Sequence, residues 1–119
     1  MNKSDLEAIK DVLIFIKALD IITTIKDDNY LLGSERNKIY SILYKIAADL
    51  KKVSKETKSK YKNVDWNILD KNLNSCKDNN DKFLSLIKGE LKEKLYNALN
   101  DIYQKEMNQY LKNTKKGKN

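Results

Sequence analysis

The chain contains no histidine. That removes the usual general base of neutral-pH chemistry and the commonest metal ligand. A single cysteine, Cys76, leaves no thiolate cluster to take over either role. Proline is absent and glycine occurs only at Gly33, Gly89 and Gly117, a composition that suits long helices and few tight turns. Arginine occurs once, at Arg36. Specific readout of phosphates or base edges favours arginine's planar fork, so its scarcity points away from it. There is no glycine-rich phosphate loop and no nucleophile elbow. No apolar run approaches the length of a membrane span. Met1–Asp11 is charged and the apolar stretch Val12–Ile16 is too short for a signal peptide. A cytoplasmic protein without membrane association is expected, and a lone thiol fits a reducing compartment.

What is present is charge and aliphatic side chains. Charged residues make up 34% of the 119 positions and apolar residues 40%, enough to close one core. The expected organisation is one helical domain over residues 1–111 and a basic, disordered tail over 112–119. Basic residues number 24 against 17 acidic ones, a net charge of +7. All but Arg36 are lysine, which favours diffuse attraction to nucleic acid, an anionic surface or an acidic protein. An AT-rich coding sequence would also yield an excess of lysine and asparagine.

Periodicity predicts four principal helices. Ser4-Asp5-Leu6-Glu7 reads as a capping box, followed by Leu6, Ile9, Leu13, Ile16 and Leu19 at helical spacing, so a first helix is expected over Asp5–Ile25. Asp27-Asp28-Asn29 signals a turn and Tyr30-Leu31-Leu32 an apolar linker. Ser34 is the expected cap of a second helix reaching Lys60, with Ile39, Ile42, Leu43, Ile46, Leu50 and Val53 as its stripe. Asp65 is the expected cap of a short third helix starting at Trp66 and carrying Ile68, Leu69 and Leu73. A fourth helix is expected from Lys82, with Leu84, Ile87, Leu91, Leu95, Leu99 and Ile102 as its apolar side. The fold class is all-α, an up-and-down four-helix bundle.

The stretch Ile46-Ala47-Ala48-Asp49-Leu50-Lys51-Lys52-Val53-Ser54, then Lys60-Tyr61-Lys62-Asn63-Val64-Asp65-Trp66, then Asn67–Asn74, resembles the HEPN domain, in particular its HepT-like RNase toxin branch. In that branch an amphipathic helix ends in a Ser-Glu-rich turn, followed by Lys-Tyr-Pro-x-Ile-Pro-Trp and a helix carrying Arg-Asn. The layout matches over residues 5–110, the residues themselves over 46–74. The resemblance implies a HEPN-like bundle, a homodimer, a nucleotidyltransferase antitoxin as partner, and RNA as ligand. The family's two prolines are Lys62 and Asp65 here. Its active site needs an arginine, a histidine five residues later and often a tyrosine two further on. Those positions are Leu73, Asp78 and Asn80; only Asn74, after the arginine position, is kept. Leucine cannot hold a phosphate and aspartate repels one. No catalytic residue, cofactor or metal is therefore expected, and the chain reads as a catalytically degenerate binding module.

Other features carry weaker signals. Lys45, Lys51, Lys52, Lys55 and Lys58 form a candidate RNA-binding surface, salt-sensitive and blind to sequence; the bland reading is the solvated face of a helix. The tyrosines are read mainly as packing residues, and Trp66 as a buried anchor docking the third helix on the second. Asp78, Asp81 and Glu90 match no known cation loop. Cys76 is read as inert. Two alternatives remain: an active RNase with a relocated site, such as Arg36 with Lys45 and Asp49, and a structural helical bundle whose likeness to HEPN is convergent.

Overall fold

The structure is a computed structural model and describes residues 1–25, 36–76 and 80–117. The expected turn at Asp27–Asn29, the linker Tyr30–Leu32, the Ser34 cap and Asp78 lie outside the described residues. Among those described, every regular element is helical. They are α1 (Lys3–Ile25), α2 (Arg36–Lys52), α3 (Lys55–Lys60), α4 (Ile68–Asn72), α5 (Asn80–Ser85), a π-helical segment (Leu86–Leu95) and α6 (Tyr96–Gly117). The last three follow without a gap, and Ser85 and Tyr96 keep helical backbone angles at the junctions, so they form one rod.

The core forms where the stripes meet. Ile9, Val12, Ile16 and Leu19 of α1 face Ile39, Leu43, Ile46 and Leu50 of α2 and Leu91, Leu95 and Leu99 of the rod, all essentially excluded from water. Contacts fix the directions. Asp5 at the start of α1 bonds Ser54 just past the end of α2, and Lys45 lies over the Phe15 ring, so α1 and α2 are antiparallel. Asp20 pairs with Lys88 and Lys92 and Lys17 lies over Tyr96, so the rod is antiparallel to α1 as well. Residues 53–76 carry the chain back along α2: Lys51 meets Asp70 and the Cys76 carbonyl accepts from Arg36. The molecule measures 57 × 27 × 19 Å.

Several boundaries differ from the sequence reading, each for a local reason. The Ser4 capping box does not form. Helix α1 starts two residues before Asp5, and Asn2 Oδ1 accepts from the Asp5 N–H at 2.7 Å, which frees the Asp5 carboxylate. That carboxylate ends α2 early. Ser54, extended at ψ 156°, donates its N–H to Asp5 Oδ1 at 3.0 Å and its Oγ–H to Oδ2 at 2.6 Å. Its N–H is thus withdrawn from the α2 ladder. The same serine caps α3 by accepting from the Thr57 N–H. The expected helix to Lys60 is therefore two helices with a corner between them.

The third helix starts at Ile68, not Trp66, after Asp65 Oδ1 accepts from the Asn67 N–H at 3.2 Å. Trp66 is half-buried rather than fully enclosed; it packs against the core, and its Nε1–H donates to the Tyr61 carbonyl at 3.1 Å. The buried side chains Val64, Ile68, Leu69, Leu73 and Cys76 dock this region together with it. In the rod, Phe83 rather than Leu84 is buried. Helix α6 continues to Gly117, six residues into the stretch expected to be a disordered tail.

Candidate functional site

The end of the molecule that gathers the start of α1, the end of α2, all of α3 and the later turns of α6 is built around two buried carboxylates. The first is Asp5, 2% exposed. Thr57 Oγ1 joins Ser54 in donating to Asp5 Oδ2, at 2.6 Å. Burial alone would raise the Asp5 carboxyl. The donors from Ser54 and Thr57, the Ser54 N–H and the nearby N-terminal charge outweigh it and lower its pKa.

The second is Glu106 on α6, 4% exposed. Lys60 Nζ donates to its Oε1 at 2.9 Å, the Tyr61 hydroxyl donates to the same oxygen, and the Met1 amino group lies 3.6 Å from Oε2. Burial again opposes ionisation, but these donors and charges hold the carboxyl at about 2. Burial and the carboxylate push the Tyr61 hydroxyl the other way, above its usual value. Lys60 and Lys105 both lie over the Tyr61 ring, at 5.3 and 6.0 Å from its centre.

Around these two internal acids the surface is lysine. Lys55, Lys58, Lys62 and Lys105 make no ion pair among the described residues, and all but the half-buried Lys58 are exposed. The C-terminal ends of α2 and α3, where carbonyl dipoles gather negative charge, carry Lys51, Lys52, Lys58 and Lys60. Exposed acids also stand near this end: Glu56 on α3, Glu7 on the second turn of α1, Asp65 three residues after Lys62, and Asp70, which Lys51 meets. The lysine surface read from the sequence is thus only partly one site. Lys55 and Lys58 belong to it outright. Lys51 pairs with Asp70 at 3.7 Å and Lys52 with Asp49 at 3.6 Å. Lys45 lies in mid-bundle over Phe15 and does not belong to this end. Sequence reasoning missed Lys105 and Tyr61, which reach the site only through the fold.

At the opposite end, Arg36 is a fastener. Its guanidinium lies 4.8 Å from the Phe83 ring centre and 5.6 Å from that of Tyr40, and donates to the Cys76 carbonyl at 3.1 Å. Cys76 is buried, donates to the Leu73 carbonyl and lies 3.8 Å from the Tyr40 hydroxyl. Arg36, Lys45 and Asp49 sit on one helix, so the first and last are about 20 Å apart at 1.5 Å per residue. They do not form one site, and burial of Asp49, with the charge of Asp11 adding to it, raises its pKa. Of the family's motif positions, Leu73 points into the core at 8% exposure and Asn74 is exposed. Asn80 opens α5. Asp81 and Glu90 share the lining of an open cleft of about 470 Å³ with Asn72, Ser75 and Lys82. Among the described residues no cluster of three or more metal-ligating side chains occurs, and no helix is long and apolar enough to cross a membrane.

Comparison of the chain with protein-family models, with curated proteins and with solved structures yields no match.

Proposed function

We propose that this chain is a non-catalytic binding module of HEPN-like, HepT-like layout, and that its working surface is the lysine-rich end, which holds RNA by its phosphates. The observation that carries the reading is the sorting of charge at that end. Asp5 and Glu106 are drawn inside and consumed by hydroxyl, N–H and ammonium donors, while Lys55, Lys58, Lys62 and Lys105 stay outside, unpaired with any described acid. An anionic polymer meets cations there with little opposing charge.

The layout supports the same reading. Helix α1, α2, the broken return over 53–76 and the rod form four alternating passes, the arrangement of an up-and-down four-helix bundle. On this reading the return pass is the counterpart of the segment where the HEPN family builds its cleft. Leu73, at the family's arginine position, is a core side chain, so the module binds RNA without cutting it. It works in the cytoplasm, with no cofactor and no metal.

A protein partner, either a second copy or a nucleotidyltransferase, is favoured by a separate observation. Ile14 and Ile21, seven residues apart on the outward side of α1, are 53% and 56% exposed, a spacing that aligns them on one helical face.

The test is fluorescence anisotropy of labelled single-stranded RNA. Four free lysines predict an affinity that falls with salt at a logarithmic slope of about −3, a loss on reversing Lys55 and Lys58 to Glu, and intact RNA after incubation. RNA cut by the pure chain, with cutting lost on a point change in it, would overturn the reading. So would the absence of salt-dependent binding at low ionic strength.

A further inference from the structure

Between the first two turns of α1 and the later turns of α6 lies a second feature of the same end, an open cleft of about 180 Å³. Leu6, Tyr103, Met107 and Tyr110 line it, with Lys3 and Lys10 on its α1 side. Leu6 is buried, Tyr103 and Met107 are half-buried, and Tyr110 is 50% exposed. The cleft is smaller than the usual pocket for a whole ligand. Its apolar, aromatic lining suits one flat ring, and both lysines are exposed. It adjoins the lysine surface: Glu106, one residue from Met107, is the acid that Lys60 and Tyr61 hold.

We infer that this cleft takes an unstacked base of single-stranded RNA, stacked on Tyr110, while the flanking phosphates lie on Lys3, Lys10 and the neighbouring lysine surface. The inference rests on the proposed reading of that surface and adds the ligand's class to it. A duplex keeps its bases paired and stacked and offers the cleft nothing. A single strand offers a ring face at every residue, and stacking on an aromatic side chain adds affinity that does not depend on charge. Glu7, also on the cleft, fixes a further preference. Its carboxylate repels phosphate and accepts a hydrogen bond from an exocyclic amino group, so adenine and cytosine are preferred to uracil.

The decisive experiment compares two probes on the full chain. One is a labelled adenosine single strand of about ten nucleotides; the other is inorganic polyphosphate of the same charge, which has no bases. The single strand binds more tightly than polyphosphate. Tyr110→Ala, a change at a half-exposed position, weakens the single strand about tenfold and leaves polyphosphate unchanged, while Tyr110→Phe, which keeps the ring, behaves as the parent. Equal affinity of the parent for both probes, or an equal effect of Tyr110→Ala on both, overturns the base site and leaves the lysine surface standing. Failure of both probes to bind at low salt removes the lysine surface and the cleft together.

Discussion

Burying a carboxylate is unfavourable unless its charge is met, and Glu106 meets Lys60, Tyr61 and the Met1 amino group. Its folded value of about 2 lies below the ordinary 4.5. Its contribution is therefore fully present above about pH 4.5 and is lost as pH falls through the folded value near 2. The difference corresponds to about 3 kcal/mol at neutral pH. Urea unfolding should find Glu106→Gln less stable than the parent by roughly that amount at pH 7, with the gap closing toward pH 2. A gap that stays constant with pH would mean that the network holds by packing alone. Leu73 supplies a contrasting case. Read only as a motif position, it invites reversion to arginine. As a core side chain at 8% exposure, it predicts that Leu73→Arg destabilises the fold by on the order of 3 kcal/mol, visible as a lowered thermal midpoint, and yields no RNA cleavage.

The elements that the sequence made legible are those whose pattern is local. Helices α1 and α2 and the rod follow from 3- and 4-residue apolar spacing, and the all-helical class follows from them. The corner at Ser54 was not legible, because its cause is Asp5, 49 residues away. Neither was the true cap of α1, since Asn2 and Ser4 are equally good capping residues and Asp5's role at Ser54 decides between them. The π segment did leave a signal. Phe83, Ile87, Leu91, Leu95 and Leu99 are all buried at strict four-residue spacing. An α-helix drifts about 40° around its axis at each such step. A stretch with i→i+5 bonds turns less per residue and cancels that drift, keeping all five toward α1 and α2. Gly89 sits within this stretch, without a positive φ, and a methyl group placed there would meet no atom within 4 Å. Its flexibility serves no turn. Gly89→Ala should raise stability by about 0.5–1 kcal/mol by restricting the unfolded chain, read as a higher urea midpoint at an unchanged slope.

For the whole molecule, charge is not spread evenly, and that separates a site from a composition. A net charge of +7 attracts RNA weakly wherever the lysines stand, and from composition alone Lys45 counts as much as Lys55. In the folded chain the two differ. Lys45 lies against Phe15 in mid-bundle, Lys71 answers Asp65 and Lys94 answers Glu90, while Lys55, Lys58 and Lys62 cluster at one end beside carboxylates already turned inward. This part of the candidate site was half legible. The run of lysines after Asp49 was visible, but the burial of Asp5 and Glu106, which leaves that run unopposed, depends on contacts across about half the chain. Two triple variants separate the cases. Lys55, Lys58 and Lys62 reversed to Glu, and Lys45, Lys71 and Lys94 reversed to Glu, change the net charge by the same amount and leave every buried side chain in place. If only the summed charge matters, both lose RNA affinity equally at every salt concentration. If the lysine-rich end is the site, the first set abolishes binding between about 50 and 200 mM salt. The second then retains most of the affinity and keeps the parent's salt slope, because the phosphates it releases were never held there. Equal losses, measured by the same anisotropy titration, would return the lysines to the status of solvated helix faces.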